Sequence, residues 1–210
     1  LKTAIVGNVG QDILGELICD TLEQAGVSTQ YINRKLNIKT GITVSLNTSY
    51  DRAMLTYNGT IDSIIRDDIT DDMLKNTRHF HIGSYFLMKR IQPHYPEIIT
   101  RLKEYGATIS LDTNWDPEEK WDSGIWDILP NVDVFFPNLN EAMAITGQDS
   151  IEKAIDILKD VVNILVIKLG EKGAMAYHKG NIYKAEAIRT DVVDTVGAGD
   201  TFDGGFIYGY

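Results

Sequence analysis

The C-terminal part of the sequence contains a run of residues that could bind and move a charged group. It reads Asp194-Thr-Val-Gly-Ala-Gly-Asp200-Thr-Phe and continues as Asp203-Gly-Gly-Phe206. Three small residues leave the backbone unshielded by side chains, and the pattern that follows predicts that a helix begins there. Such a helix N-terminus offers free amides and a partial positive charge, which can bind the oxygens of a phosphoryl group.

Asp200 lies in the first turn of this predicted helix, next to the amides of Gly197, Ala198 and Gly199. A single carboxylate in this position would ordinarily cap the helix. A cap explains neither the Gly-Ala-Gly run nor the second acid, Asp194. We therefore favour a general base that lies beside an anion hole.

The pattern Asp-Thr-x-Gly-Ala-Gly-Asp resembles the C-terminal motif of the ribokinase-like (phosphofructokinase-B type) carbohydrate kinases. The resemblance implies that Asp200 deprotonates the acceptor hydroxyl and that the amides of Gly197, Ala198 and Gly199 form the anion hole. It implies that Asp194 helps to hold a monovalent cation such as K⁺. It also implies ATP and Mg²⁺ as cofactors.

A second candidate site begins at Asn138-Leu-Asn-Glu141, where a predicted strand ends and a helix begins. Asn138 can cap the helix and Glu141 can reach back to it, as in a capping box. The same residues match the family's Asn-x-x-Glu motif, and the resemblance implies that they organise magnesium and phosphate-bound water. Magnesium prefers oxygen ligands and keeps several waters, which suits a carboxylate that acts through water.

The segment from Lys168 to Gly173 follows a buried apolar run and is bounded by glycines. The residues alone are explained by an ordinary hairpin. Ligands of open α/β sheets bind beyond the carboxyl ends of the strands, which would place Lys168 and Gly170 near a nucleotide. The family's Leu-Gly-x-x-Gly segment implies that Lys168, Gly170 and Gly173 contribute to nucleotide binding.

A fourth segment, Asp112-Thr-Asn114-Trp-Asp116, also follows a predicted strand. It resembles the family's Asp-x-Asn-x-Arg segment, which implies that Asp112 and Asn114 lie near the phosphate or the acceptor. An Asx-type turn is the alternative for both residues. Asp116 stands where the family has Arg, so any positive charge of that Arg must come from elsewhere or be unnecessary.

Short apolar runs alternate with amphipathic segments along the chain, which predicts a doubly wound α/β fold with a mostly parallel sheet and helices on both faces. The predicted core strands are Thr3–Val6, His79–Ile82, Thr108–Leu111, Val132–Phe136 and Leu165–Leu169. The predicted helices are Asp12–Gln24, Ile91–Tyr105, Ile151–Val161 and Ala198–Tyr208.

Residues 29–60 lack helical periodicity and carry extended patterns, so they are predicted to contribute to a small β lid and its connection to the core. Residues 1–28 and 61–210 are predicted to form the α/β kinase core, incomplete at both ends. Gly7-Asn-Val-Gly10-Gln-Asp12-Ile-Leu-Gly15 lacks the tight Gly-x-Gly of a dinucleotide fingerprint. The resemblance implies that this stretch packs a strand against a helix.

Composition excludes several classes of protein. Of the 210 residues 43% are hydrophobic and 24% are charged, as in globular proteins, and the net charge of −10 argues against a nucleic-acid surface. No apolar run approaches the roughly 18 residues that span a bilayer, and no leader pattern is evident at the start, so we expect a cytoplasmic protein without a membrane partner. The single cysteine, Cys19, is expected to be a core residue.

These patterns together predict an ATP-dependent phosphotransferase that moves the γ-phosphoryl group of MgATP to a hydroxyl of a sugar or sugar-like substrate. A nucleoside or hydroxymethyl-pyrimidine kinase of the same fold is one alternative. A catalytically silent homologue that binds sugar and nucleotide is another. The sequence does not specify the sugar or the hydroxyl, and the resemblance implies a homodimer that forms through the lid.

Overall fold

The computed structural model describes residues 1–47, 52–192 and 194–210. The described chain divides into two compact units. One comprises Leu1–Met73 and Met88–Ile91, and the other comprises Leu74–Leu87 and Gln92–Tyr210. Residues 48–51 of the predicted lid lie outside the described part.

The first unit begins with a strand–helix–strand motif. Strand β1 (Ala4–Gly10) is followed by helix α1 (Ile13–Gln24) and by strand β2 (Ser28–Lys35), which pairs with β1 in parallel. The turn between β1 and α1 is fixed by Asp12, whose carboxylate accepts hydrogen bonds from the Thr40 hydroxyl at 2.6 Å, the Thr40 amide and the Gly15 amide. These bonds, the one from the Thr40 hydroxyl above all, lower the pKa of Asp12 to about 2.

Gly15 allows α1 to approach the end of β1 closely, because a Cβ at this position would lie 2.3 Å from the Gly10 carbonyl oxygen. The glycine-containing stretch at the start of the chain thus packs a helix against a strand, as the sequence analysis expected. The rest of this unit contains an antiparallel ribbon of β3 (Ile42–Asn47) and β4 (Arg52–Tyr57). A short 3₁₀ helix at Arg66–Asp68 and helix α2 (Asp71–Lys75) follow in the sequence.

The second unit is built on a six-stranded sheet. Its strands are β5 (His79–Ile82), β6 (Thr108–Leu111), β7 (Val134–Phe135), β8 (Ile164–Lys168), β9 (Ala174–His178) and β10 (Asn181–Ala185). They lie in the order β10-β9-β8-β7-β6-β5. The pairs from β5 to β8 are parallel, whereas β9 and β10 run antiparallel to their neighbours.

The helices of this unit bury apolar side chains. They are α3 (Tyr95–Glu104), α4 (Ile125–Ile128), α5 (Leu139–Thr146), α6 (Ile151–Leu158) and α7 (Ala198–Gly209). Short 3₁₀ turns lie at Tyr85–Leu87, Gln92–His94, Leu129–Asn131 and Gly170–Lys172. No helix within the described ranges has the length and apolar character to cross a membrane.

The predicted strands and helices are confirmed, with shifts at their ends. Strand β1 extends to Gly10, β7 is shorter than predicted, and α3 begins at Tyr95 after a 3₁₀ turn. Strand β2 lies in the segment assigned to the lid, but it pairs with β1. Strands β9 and β10 were not predicted from the sequence.

Candidate active site

The register of the parallel strands places several polar residues on one face of the sheet, at its carboxyl edge. The paired residues His81, Ser110, Val134 and Ile164 share a face because paired positions point the same way. Side chains alternate along a strand, so Lys168 at the end of β8 lies on this face too. Asp112, directly after β6, continues the same alternation.

An ion cluster joins this edge of the sheet to helix α7. The Lys168 ammonium donates to the carboxylate of Asp112, and it lies 3.4 Å from Oδ2 and 3.5 Å from Oδ1 of Asp203. Burial alone would raise the pKa of Asp112, but the charge of Lys168 lowers it below its ordinary value. Burial and a hydrogen bond to Asp112 raise the pKa of Asp203 to about 8.

Helix α7 is held on this face by aromatic packing. Phe206 contacts Phe136 edge-on with ring centroids 5.2 Å apart, and Phe202 approaches the same ring at 6.5 Å. Val134 and Val166 complete the buried apolar cluster beneath the helix. The same packing that fixes the helix therefore fixes its N-terminus near the carboxyl edge of the sheet.

The N-terminus of α7 has unpaired amides. Gly197, with a φ of 74°, precedes the helix in a left-handed conformation that suits glycine. The Ala198 amide donates to the Thr195 carbonyl at 3.2 Å, so it is already used within the turn. Among the described residues, no acceptor receives a hydrogen bond from the amides of Gly199 or Asp200.

The Asp200 side chain is exposed in the first turn of α7, so its carboxylate is accessible to a substrate. Lys168 lies close to the same turn, since a Cβ on Gly199 would be 3.5 Å from the Lys168 Nζ. A carboxylate, two free amides and an ammonium group therefore surround one end of the helix. This arrangement can accept a proton from a hydroxyl and stabilise negative charge beside it.

Asn138 and Glu141 form the capping box that the sequence predicted at the start of α5. The Glu141 amide donates to Asn138 Oδ1 at 2.9 Å, and the Asn138 amide donates to Glu141 Oε2 at 2.8 Å. Burial raises the pKa of Glu141. Beside it, the Thr113 hydroxyl is fully buried and has no hydrogen-bond partner of good geometry among the described residues. The backbones of Asn138 and Lys168 also form an isolated parallel β-bridge, so the capping box adjoins the ion cluster.

The segment after β6 combines a site residue with a folded turn. Asp112 Oδ1 accepts the Asn114 amide at 2.8 Å, which is the Asx-type turn that the sequence allowed. The Asn114 side chain is exposed and lies 3.4 Å from the Ser84 hydroxyl. Asp116 is buried and accepts backbone hydrogen bonds, so it has a structural role in this turn.

The glycines that follow β8 form a turn into β9. Gly170 and Gly173 have φ values of 60° and 88°. A Cβ on Gly173 would lie 1.9 Å from the Ala185 carbonyl oxygen, so this glycine is required for close packing of β10. The hairpin that the residues alone suggested is therefore present, with Lys168 as the last residue of its first strand.

The remaining predicted site residue, Asp194, lies just before α7. Its side chain is exposed and accepts the Val196 amide at 3.0 Å. Across the described ranges, no group of three or more His, Cys, Asp or Glu side chains forms a ready-made metal site.

Sequence reasoning missed Asp203. Asp203 lies on the apolar face of α7 with Phe202 and Phe206, and only 1% of its surface is exposed. The sequence did contain a signal, because Asp203 is a charged residue at a core-facing position of an amphipathic helix. Charged side chains are almost never fully buried without a partner, so this position predicts a buried partner for Asp203.

Comparisons with known proteins identify the family of the chain. The family model described as pfkB family carbohydrate kinase matches residues 1–210. A probable fructokinase-4 from Arabidopsis thaliana is 30% identical over 98% of this chain and 67% of the relative. An uncharacterized sugar kinase from Archaeoglobus fulgidus is 28% identical over 100% of this chain and 83% of the relative.

Solved structures share the fold. A probable sugar kinase from Rhizobium etli superposes with a TM-score of 0.90 and 26% identity, over 100% of this chain and 65% of the neighbour. A structure from E. coli, described as a ribokinase II in complex with ATP and Mg²⁺, has a TM-score of 0.88 and 25% identity, over 99% of this chain and 69% of the neighbour. The fold is ribokinase-like, as the sequence analysis predicted.

Proposed function

Because the chain belongs to the pfkB family of carbohydrate kinases, we propose that it transfers the γ-phosphoryl group of MgATP to a hydroxyl of a sugar. The observation that carries the proposal is the N-terminus of α7. There the exposed carboxylate of Asp200 adjoins the free amides of Gly199 and Asp200 and the ammonium of Lys168. Phosphoryl transfer requires alignment and charge stabilisation rather than covalent chemistry by the protein, and these groups supply both.

Each group has a separate role in this proposal. Asp200 accepts the proton of the attacking hydroxyl, so that the oxygen can form its bond to phosphorus. The amides at Gly199 and Asp200, with the adjacent Gly197 backbone, hold the equatorial oxygens of the transferred group, while the Ala198 amide closes the turn that presents them. Lys168 supplies positive charge at the same place, and Asp112 and Asn114 lie at the edge of the sheet near the phosphate or the acceptor.

The residues near Glu141 fit a magnesium ion that is held through water. The buried carboxylate of Glu141 and the buried hydroxyl of Thr113 beside it provide oxygen atoms of the kind that this ion and its waters bind. The backbone amide of Asn138 orients the Glu141 carboxylate through the capping box. When bound, magnesium would neutralise charge on the phosphate oxygens of ATP. The E. coli neighbour is described in complex with ATP and Mg²⁺, which supports this pair of cofactors.

Nucleotide binding is assigned to the turn after β8. Lys168, Gly170 and Gly173 lie where a strand of the parallel part ends, and ligands of open α/β sheets bind at that edge.

Asp194 is proposed to contribute to a K⁺ site just before α7. Its remaining carboxylate oxygen is a suitable hard ligand, and replacement of K⁺ by Na⁺ in an activity assay tests this assignment.

Two further assignments concern the whole protein. The ribbon of β3 and β4 presents apolar side chains to the solvent, which suits a lid that forms a homodimer. A cytoplasmic location is consistent with the use of ATP and with the buried free thiol of Cys19.

The Arabidopsis and Archaeoglobus relatives carry the names of fructokinase and sugar kinase, so hexoses such as fructose are the first acceptors to test.

The decisive experiment replaces Asp200 by Asn in the full-length enzyme. General-base catalysis typically contributes about 10²–10⁴-fold, so we expect turnover to fall by that factor with little change in affinity for MgATP. The control is Asp156→Asn on the exposed surface of α6, which should leave turnover unchanged. A panel of sugars, nucleosides and hydroxymethyl-pyrimidine identifies the acceptor class. Near-normal turnover of Asp200→Asn with the best acceptor would contradict the proposal.

A further inference from the structure

The ion cluster contains one more carboxylate than is needed to neutralise the charge of Lys168. Asp112 neutralises Lys168 directly, yet Asp203 also lies within 3.5 Å of the same ammonium group. The three side chains come from the residue after β6, the end of β8 and helix α7, and the Asp203 side chain is only 2% exposed. Taking a second carboxylate out of water is costly, and an apolar residue of similar volume would pack well between Phe202 and Phe206.

Asp203 connects the helix that carries Asp200 to the edge of the sheet. The two acids are three residues apart, so they lie on neighbouring positions of the helix surface. Phe202 and Phe206 fix the helix on the sheet through Phe136, but apolar contacts have little directionality. The contact of Asp203 with Lys168 is directional, and it ties the first turns of α7 to the end of β8.

We propose that Asp203 is a positioning residue, which together with Asp112 holds the Lys168 ammonium against the first turn of α7 so that it faces the transferred phosphoryl group. The inference rests on the proposed function, because that function puts a phosphoryl group at this turn. Lys168 is then the cation of the site, in place of the arginine that Asp116 replaces. The predicted site residues did not include Asp203, so this role is additional to the motif residues.

The protonation of Asp203 is consistent with this role. With its pKa at about 8, Asp203 is mostly a neutral acid at pH 7 and donates a hydrogen bond to Asp112. The negative charge of Asp112 and the positive charge of Lys168 then cancel, so the cluster adds no net negative charge beside the phosphate. The other titratable groups that face the cluster are His81 on β5, which interacts with Asp112 and Lys168, and Glu141 on α5, which interacts with Lys168. Asp200 on α7 acts on His81. Ionised Asp203 would retain the ammonium and repel the phosphate.

The test compares Asp203→Asn and Asp203→Leu in the full-length enzyme. Asn keeps the shape, can donate to Asp112 and can accept from Lys168, so we expect MgATP affinity and kcat within about threefold of wild type at pH 7. Leu packs but cannot hold the ammonium, so we expect kcat to fall at least about tenfold. Each tenfold change corresponds to about 1.4 kcal/mol. Tyr208→Leu, at an exposed position of the same helix, is the control and should stay within about threefold.

A second readout does not depend on turnover. The affinity for a non-hydrolysable MgATP analogue is measured by calorimetry from pH 6 to pH 9. We expect the wild-type affinity to decline as Asp203 ionises, and we expect Asp203→Asn to lack that decline. Titration of the labelled Lys168 ammonium by NMR should show a lower pKa in Asp203→Leu than in Asp203→Asn.

The possible outcomes separate this inference from the proposed function. If no acceptor is phosphorylated by wild-type enzyme, the proposed function fails, while analogue affinity and the Lys168 titration still test Asp203. If folded Asp203→Leu matches wild type in kcat and affinity, Asp203 has no positioning role. If Asp203→Leu does not fold, the pH dependence of Asp203→Asn decides, and a profile identical to that of wild type overturns the inference.

Discussion

The carboxylate of Asp116 accepts three backbone hydrogen bonds, from the amides of Glu118, Lys120 and Trp121, each at 2.9 Å. Glu119 and Trp121 in this loop have φ values of 51° and 57°, which is an unfavourable region for residues with a side chain. Asp116 therefore stabilises a strained turn. Arginine has no hydrogen-bond acceptor in its side chain and could not do this. The residue that departs from the family motif has become part of the fold.

Asp116→Ala should destabilise the protein, because it leaves three amides without their acceptor, two of them partly buried and that of Trp121 buried. Loss of hydrogen bonds to a charged group costs about 1.5–3 kcal/mol each in a buried site, and partial rehydration of the loop should limit the total to about 3–4 kcal/mol. Urea unfolding measures the change. Asp156→Ala on α6 removes only an exposed ion pair and should cost less than about 1 kcal/mol. Equal losses in both variants would show that the Asp116 hydrogen bonds contribute little.

At the residue scale, the sequence identified the side chains that lie in local motifs. Asp200, Asn138 and Glu141 could be found because a helix start has a short-range pattern. Asp203 could not be assigned in the same way, since its partners Asp112 and Lys168 are 91 and 35 residues away in the sequence. Contacts between residues so far apart depend on strand order and register, which one sequence does not display.

At the element scale, helix α5 begins with a capping box that has two possible purposes. The reciprocal hydrogen bonds of Asn138 and Glu141 satisfy two free amides, which is sufficient to explain both residues as a cap. The burial of Glu141 beside Thr113 favours the second purpose, an oxygen site for magnesium. Ser150 caps helix α6, because its hydroxyl accepts a hydrogen bond from the Lys153 amide. Ser150 lies in no candidate site, so it offers a direct comparison with Asn138.

Asn138→Ala and Ser150→Ala should each lower the free energy of unfolding by about 1 kcal/mol, the usual cost of a lost N-cap. Only Asn138→Ala should raise the Mg²⁺ concentration needed for half-maximal activity, by several-fold, because loss of the acceptor for the Glu141 amide frays the helix turn that carries Glu141. Kinetic assays at fixed ATP and varied free Mg²⁺ measure this. An unchanged Mg²⁺ requirement in Asn138→Ala would leave the cap as the only role of the residue.

The elements of the second unit were predictable where their patterns were strong. Strands β5 and β6 have the predicted ends, because each is a short apolar run between turns. Strand β10 was missed because all five of its residues are exposed and no apolar alternation marks it. The short helix α4 was missed as well, since one turn is too short to show a period of 3.6 residues.

At the scale of the whole molecule, the fold class follows from the alternation of apolar runs and amphipathic segments, whereas assembly does not. The ribbon of β3 and β4 has exposed apolar residues on both strands, including Val44, Leu46, Met54 and Leu55. Val44 pairs directly with Leu55 across the ribbon, so the two form a small apolar patch. Neither composition nor a motif reveals which surface such a patch meets.

Leu55→Lys should weaken the proposed homodimer, because it places a charge in an apolar contact. Sedimentation equilibrium of the full-length protein should show a dissociation constant at least about tenfold higher, equivalent to about 1.4 kcal/mol. Ile182→Lys on β10, where the wild-type side chain is similarly exposed, is the control and should leave association unchanged. A monomeric wild-type protein would contradict dimerisation, and equal effects of both variants would contradict the role of the ribbon.

The pH dependence of global stability reports the buried acid of the ion cluster. The ordinary pKa of Asp203 is 3.8, and in the folded protein it is about 8, so between these values the native state binds more protons than the unfolded state. Its contribution to stability is therefore present at low pH and is lost as the pH rises toward 8. Burial lowers the pKa of His79 and His81, which act in the opposite direction near pH 6.5.

Comparison with Asp203→Asn removes these other contributions, because both proteins share them. We expect the wild-type free energy of unfolding to fall between pH 5 and pH 8.5 by more than that of Asp203→Asn. The difference should exceed about 1.4 kcal/mol, the equivalent of one pKa unit. Urea unfolding at both pH values measures it. Parallel changes in the two proteins would mean that Asp203 is ionised throughout this range, and the cluster would then carry a net negative charge beside the proposed phosphate site.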